Sequence, residues 1–395
     1  MATQRPDRFD QVDWDEVTES SGFSLTVNAK GLLATTIPLV GLAVYDWQVL
    51  DKRTPTFDAL GWDFDVPGLD YLFAFTILLF VFYVALPLYQ NPRMTRYYWK
   101  EFKRNRPAVV SLGWIAFVFV VGLIGPLFVA APEQSVLHSY QPPMYLSVDT
   151  ANAGTCLGET ANGRCFGTWQ YPLGTTRAGK GVFAGIVHGM TISMKIGFIA
   201  TFIAVLFGTT FGTVSAYAGG WVDEILMRYV DIQASFPTLV FYLLIIYTFG
   251  GGLWLLILLL GIFSWEGMAR YVRSKALSVT EEEYIKAVKV SGASSFRVVR
   301  RHMVPNTASS IITDTTLLIP GFLLAEAQLS FLGLGDPTVA SWGQLIAAGR
   351  DALAFAPWIV LAPGLMLFLT ILAFNFVGDA LLDALNPEAA AEAER

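Results

Sequence analysis

The chain has 395 residues, 54% of them hydrophobic, 14% aromatic and only 15% charged, with a mean hydropathy of +0.51. An ordinary soluble domain is about a quarter charged, so this composition excludes one and indicates a membrane protein. A formal net charge of −6 excludes a nucleic-acid binder, which needs a basic face to neutralise phosphates. Acid is concentrated at the ends, in "DRFDQVDWDEVTES" and "PEAAAEAER", and residues 1–30 and 388–395 are expected to be solvated tails. The start lacks a basic stretch leading into a short apolar core, so no cleavable signal is expected.

A helix needs about 20 mostly apolar residues to cross a hydrocarbon core of about 30 Å. In chain order the candidates are residues 71–89, 109–130, 195–218, 239–249 (starting near Asp231), 253–265, 311–333 and 358–378. Residues 31–45 are short and contain Pro38, so they can equally be an interfacial helix. Lys and Arg in short loops stay cytoplasmic. Two basic segments dominate: "RMTRYYWKEFKRNR" and the stretch from Arg270 to Arg301. Four spans lie between them, an even number, so both fit on the cytoplasmic side together with the two termini. Residues 131–190 are then external.

That external segment holds "PLGTTRAGKG", residues 172–181, whose Gly-Lys pair resembles most of a phosphate-binding loop. The hydroxyl that would meet magnesium is replaced by Gly181, and "RCFGTWQY" before it has no apolar run to form the strand such a loop follows. ATP is also absent from that side. Cys156 and Cys165 lie in the same segment, where an oxidising environment permits a disulfide or leaves two thiols.

The most informative cytoplasmic stretch is "RYVRSKALSVTEEEYIKAVKVSGASSFRVVRRHMVPN", residues 270–306. It reads as a helix over 281–290, a break at Ser291-Gly292, and a second helix over 296–303 capped by Ser294 or Ser295 and ended by Pro305. Tyr284, Ala287 and Val288 fall on one side of the first helix, a spacing suited to a partner's groove. Phe296, Val298 and Val299 punctuate Arg297, Arg300 and Arg301 in the second. A plain basic loop obeying the orientation rule is the competing reading.

"EYIKAVKVSGASSFRVVRRHMVPN" resembles the EAA loop of ABC importer permeases: Glu-Ala-Ala, three residues, Gly, nine residues, Ile-x-Leu-Pro. Lys286, Ala287 and Val288 occupy the first three positions, Gly292 the glycine, His302 the Ile, Val304 the Leu and Pro305 the proline; Ala287, Gly292 and Pro305 match strictly. "PLGTTRAGKG", "AYAGGWVDEILMRYVDIQASFPTLV", "AEAQLSFLGLG", "SWGQLIAAGRD" and "AFNFVGDALLDALNP" are similar to the second membrane subunit of dipeptide, oligopeptide and nickel importers, over residues 103–387. The resemblance implies an all-α polytopic fold, the type I importer domain of about six core helices, with a first core helix at 103–130, a permease core at 191–387 and an added N-terminal module at 31–102 carrying one or two more membrane helices.

It also implies partners: a second homologous permease, two ATPase subunits that hold ATP and magnesium, an external solute-binding protein and the lipid bilayer of the cell membrane. No cofactor and no catalytic residue are expected in this chain. The coupling loop would use Glu283, Tyr284, Lys286, Ala287, Val288, Gly292, Ala293, Phe296, Arg300, Arg301, His302 and Pro305, with small Ala287 and Gly292 permitting close backbone approach. A charge inside a span costs about 3 kcal/mol at its centre, which makes Glu326 a candidate for path or subunit contact. Asp314 and Lys195 are expected near span ends, snorkelling. Gly208 and Gly212 offer a close helix contact and Pro320-Gly321 a kink. Peptides are the expected substrate class, with nickel or sugars, or a secondary transporter, as alternatives.

Overall fold

A computed structural model describes residues 26–50, 54–58, 61–62 and 65–385. The two acidic tails fall outside these residues, except that 26–30 already enter the first helix. Among the described residues seven helices are long and apolar enough to cross a membrane, and an eighth span follows if one sharply bent pair is counted.

The described chain divides into two compact units. In the first, helix α1 (Val27–Gln48) is a full-length span candidate rather than the short element expected at 31–45. The same unit takes in residues 77–90 of α2 (Gly68–Gln90). Gly31 lies so close to Phe82 that a Cβ would stand 2.4 Å from its ring. The Thr56 hydroxyl sits between the carboxylates of Asp46 and Asp65, at 2.9 and 3.1 Å, and accepts the Val66 N–H.

The second unit contains residues 67–76 and everything from Asn91 onward. The amphipathic helix α3 (Pro92–Phe102) carries the first basic segment, and α4 (Arg106–Phe128) rises from it, capped by the Asn105 side chain on the Ala108 N–H. A long helix α5 (Val182–Ala218) follows the segment after α4. It starts 13 residues before the expected Lys195, because "VFAGIVHGMTISM" is already apolar. The span expected at 239–249 is two helices, α6 (Gly220–Ser235) and α7 (Thr238–Phe249), meeting at 75°. Pro237 lies at the break; with no N–H to donate, and with the residue before it pushed to extended backbone, it interrupts the helical ladder. Helices α8 (Leu253–Ile262) and α9 (Glu266–Glu281) carry the chain back. Then come a short α10 (Glu283–Val290), α11 (Ser295–Phe331), α12 (Trp342–Gly349) and α13 (Trp358–Leu385). Counting α6–α7 as one, α4, α5, α6–α7, α8–α9, α11 and α13 are the six core spans.

Several prolines sit inside helices without ending them. Pro305 does not terminate α11: the preceding turn, Val299–Met303, is π-helical, and the same device, Val81–Ala85, precedes Pro87 in α2. A π-turn widens the helix where proline lacks a donor and its ring would strike the carbonyl four residues back. Pro320 lies within continuous helix, so the sharp bend of these spans is at Pro237 instead.

The segment between α4 and α5 holds a small antiparallel sheet, β1 (Ser147–Asp149), β2 (Thr160–Ala161) and β3 (Arg164–Phe166), in the order β1-β3-β2. This corrects the strandless reading of "RCFGTWQY". Strands β2 and β3 are joined by Asn162-Gly163, both at positive φ, the two-residue turn that Asn-Gly favours. Cys156 and Cys165 are joined in a disulfide. Val148 and Cys165, paired on one face of the sheet, are buried with Val182 and Ile186 of α5, Trp342 of α12 and Trp358 of α13.

Candidate functional site

The loop between α9 and α11 forms in four steps. Helix α9 ends at Glu282, which is extended. Helix α10 then runs eight residues, about 12 Å at 1.5 Å per residue. It closes on Gly292 at φ +79°, with the Gly292 N–H on the Lys289 carbonyl at 3.1 Å and the Ala293 N–H on the Val288 carbonyl at 3.3 Å. That pair of bonds is the Schellman closure, which requires a left-handed residue and favours glycine. Ser294, in extended backbone, begins α11.

An eight-residue helix is not stable on its own, so packing must hold α10. Ile285 is fully buried in a nest formed by Ala216 of α5, Ala276 of α9, and Val298 and Met303 of α11, with Val288 and Ala293 partly buried beside it. Full burial of such a side chain contributes about 1.5–3 kcal/mol. The expected stripe of Tyr284, Ala287 and Val288 is therefore split. Ile285 and Val288 face inward. Glu283, Lys286, Ala287 and Val290 face out, with Tyr284 on the flank.

The outward surface carries apolar and basic groups together. Val290 is 89% exposed, Phe296 71% and Tyr284 40%. Around them stand Lys286, paired with Glu283 at 2.9 Å, and Lys289, whose ammonium lies 4.8 Å from the Tyr217 ring centroid. Arg300 lies 5.9 Å over the Phe296 ring, Arg301 is exposed, and the His302 ring approaches Tyr284 at 6.4 Å. Such a surface can receive a partner groove with an acidic rim. The space over Gly292 is open, with nothing within 4 Å of a built Cβ. Within this chain its glycine serves φ.

The nest is fixed to the spans from above. Gly208 and Gly212 let α9 lie against α5 at backbone distance: a Cβ on Gly212 would stand 2.6 Å from the Ala269 carbonyl oxygen and 2.9 Å from the Arg273 nitrogen. Arg273 donates to both oxygens of Asp223 on α6, at 2.6 and 2.5 Å, and the Ser215 hydroxyl donates to the same carboxylate. Arg270 pairs with Asp231 at 3.0 Å. The sequence reading missed Ile285, Val290 and the Asp223 latch. The i, i+3 spacing of Ile285 and Val288 was available as a signal; the pairing of Arg273 with a carboxylate fifty residues earlier was not.

Other candidates lie apart from this loop. Glu326 is 6% exposed and accepts hydrogen bonds from the hydroxyls of Ser330 and Ser341, at 2.7 and 2.6 Å. Its partners belong to its own subunit, so the chain itself supplies the pairing that a path or subunit contact was expected to supply. Lys195 does not snorkel; it pairs with Asp70. Asp314 lies ten residues into the helix that follows the π-turn. In "PLGTTRAGKG" the amides of Gly174, Thr175, Thr176 and Gly179 bond to carbonyls of Tyr171, Gln141, Lys180 and Thr176, leaving no cradle of free N–H groups for phosphate. Between the α7–α8 and α11–α12 loops, Asp336 accepts the Leu253 N–H at the start of α8 at 3.0 Å, and the N–H and hydroxyl of Thr338 at 2.9 and 2.5 Å. Burial pushes this carboxyl up, but the three bonds outweigh it and hold it below the ordinary carboxylate value.

Comparison with known proteins places these features in a family. Residues 208–390 match the model of the binding-protein-dependent transport system inner membrane component. Residues 93–143 match that of the N-terminal TM domain of oligopeptide transport permease C. The oligopeptide transport system permease protein OppC of Haemophilus influenzae is 32% identical over 297 residues, 73% of this chain and 87% of that protein. The dipeptide transport system permease protein DppC of Bacillus subtilis is 35% identical over 294 residues, 73% and 84% respectively. Among solved structures, a chain of the MetNI methionine ABC transporter in an inward-facing conformation is similar at a TM-score of 0.44 and 18% identity, over 51% of this chain and 96% of that one. With α4 inside one matched segment and α6 through α13 inside the other, the chain belongs to the family of binding-protein-dependent ABC transporter inner membrane components, as a permease subunit of the dipeptide and oligopeptide type.

Proposed function

We propose that this chain forms half of the translocation path of an ATP-driven importer of di- or oligopeptides and that α10 is where a cytoplasmic ATPase subunit docks. The observation that carries the reading is the construction of α10: a helix too short to stand alone, pinned on the ends of three spans by Ile285, with Val290 and Phe296 left uncovered. A load on such a helix passes directly to α5, α9 and α11. The names of the relatives, oligopeptide and dipeptide permeases, support the substrate class.

In this reading a second, homologous permease completes the path, and two ATPase subunits supply ATP and magnesium. A solute-binding protein delivers substrate at the external, disulfide-stapled loops. The subunit resides in the cell membrane with both termini cytoplasmic. The chain has no hydrolytic step of its own.

The test uses Gly292. A β-branched residue at φ +79° costs about 1–2 kcal/mol and opens the Schellman closure. Gly292→Val should leave the protein in the membrane but reduce ATPase co-purification and uptake, whereas Gly292→Asn, which tolerates left-handed backbone, should retain both. Normal capture and uptake by Gly292→Val would overturn the assignment.

A further inference from the structure

Residues before 93 precede both matched segments, yet residues 67–76 belong with the permease unit. The contact that joins them centres on Lys195. This residue stands 13 positions into α5, about 20 Å along the helix, and its side chain is only 13% exposed. A lysine in a span ordinarily reaches for the headgroups; this one is paired instead with Asp70 of α2. Aromatic contacts continue along α5 from this pair: Phe73 lies edge-on to Phe198 at 6.1 Å, Phe75 edge-on to Phe202 at 5.6 Å, and Phe119 of α4 meets Phe198 at 5.7 Å. Three aromatic contacts follow the same line of α5, so charge and shape coincide at one surface.

We propose that the face of α5 around Lys195, Phe198 and Phe202 is a docking surface for residues 67–76, with Asp70 as the counter-charge that the core requires. Residues 67–76, upstream of the matched family region, are then an integral part of this permease, not an appendage. They are anchored to the helix whose far end, at Ala216 and Tyr217, packs with α10. The pair is partly covered, Lys195 at 13% and Asp70 at 30% exposure; to the extent that it is shielded, removing one member strands the other charge, whereas replacing both by apolar residues is often neutral. That asymmetry separates a charge-keyed dock from ordinary packing.

The test uses the full chain in native membranes, with Asp70→Leu, Lys195→Met, the two together, and the reciprocal Asp70→Lys with Lys195→Asp. Two quantities are read: the folded, monodisperse yield after extraction, and thiol cross-linking of a Phe73→Cys, Phe198→Cys pair placed in each background. Asp70→Leu should lower the yield by about tenfold or more and abolish the cross-link, while the apolar double and the reciprocal variants regain both. A wild-type yield and cross-link in Asp70→Leu would mean that lipid phosphate or interfacial water neutralises Lys195, and the proposal fails. Failure of the apolar double to recover would assign the contact to packing alone and equally overturn it.

Discussion

Ile285→Ala probes how α10 is held. Ile285 is the fully buried side chain of α10, seated against Ala216, Ala276, Val298 and Met303, and Val288 is only partly covered. Truncating a buried Ile to Ala typically costs about 2–5 kcal/mol. Here the loss falls on the docking of one eight-residue helix, so the lower part of that range applies: about 2–3 kcal/mol, or roughly a 30- to 150-fold rise in the undocked population. Amide exchange is the assay, because the N–H groups of Ser291, Gly292 and Ala293 bond to carbonyls of Ala287, Lys289 and Val288 and open when α10 lifts. Exchange in 283–293 should accelerate by that factor in Ile285→Ala while the spans remain protected. Tyr284→Ala, on the exposed flank, should leave exchange unchanged. Equal exchange in Ile285→Ala and wild type would refute the view that burial of this side chain holds the loop.

Two further outcomes follow from the packing around this loop and at the external surface. Gly212→Leu should separate α9 from α5, because the nearest atoms are backbone and cannot yield; overpacking of this kind costs about 1–3 kcal/mol, and it should appear as reduced thermal stability together with faster exchange in α10. Asp336 has a depressed carboxyl pKa, so its stabilising contribution is complete above the unfolded-state value and is lost as pH falls through the lower folded-state value. Melting of the wild type should therefore drop between about pH 5 and pH 3. The drop should be smaller in Asp336→Asn, and equal drops would contradict the role given to this carboxylate.

Apolar run length was enough to read the spans, because lipid leaves the chain few choices. Boundaries were less legible. Helix α5 begins early and α11 continues through Pro305 by a π-turn, a relief that no local propensity announces. The hairpin at Asn162-Gly163 was legible in the residues and was overlooked beside the search for an apolar run. Around α10 the glycine and the helix break were visible from spacing. The inward anchor, Ile285, emerged only once α5, α9 and α11 supplied the nest. Long-range ionic partners, Asp70 with Lys195 and Asp223 with Arg273, depend on which helices lie side by side, and nothing in the local pattern encodes that.

The central claim is that the exposed side of α10 meets an ATPase subunit. A photo-activatable residue in place of Val290, whose side chain points away from the nest, and a control in place of the external Tyr145 test it most directly in membranes that contain the whole transporter. The account predicts an adduct between position 290 and an ATPase subunit, dependent on its presence, and none from position 145. Absence of an ATPase adduct at 290, with cross-links to lipid or to a neighbouring permease instead, would contradict it.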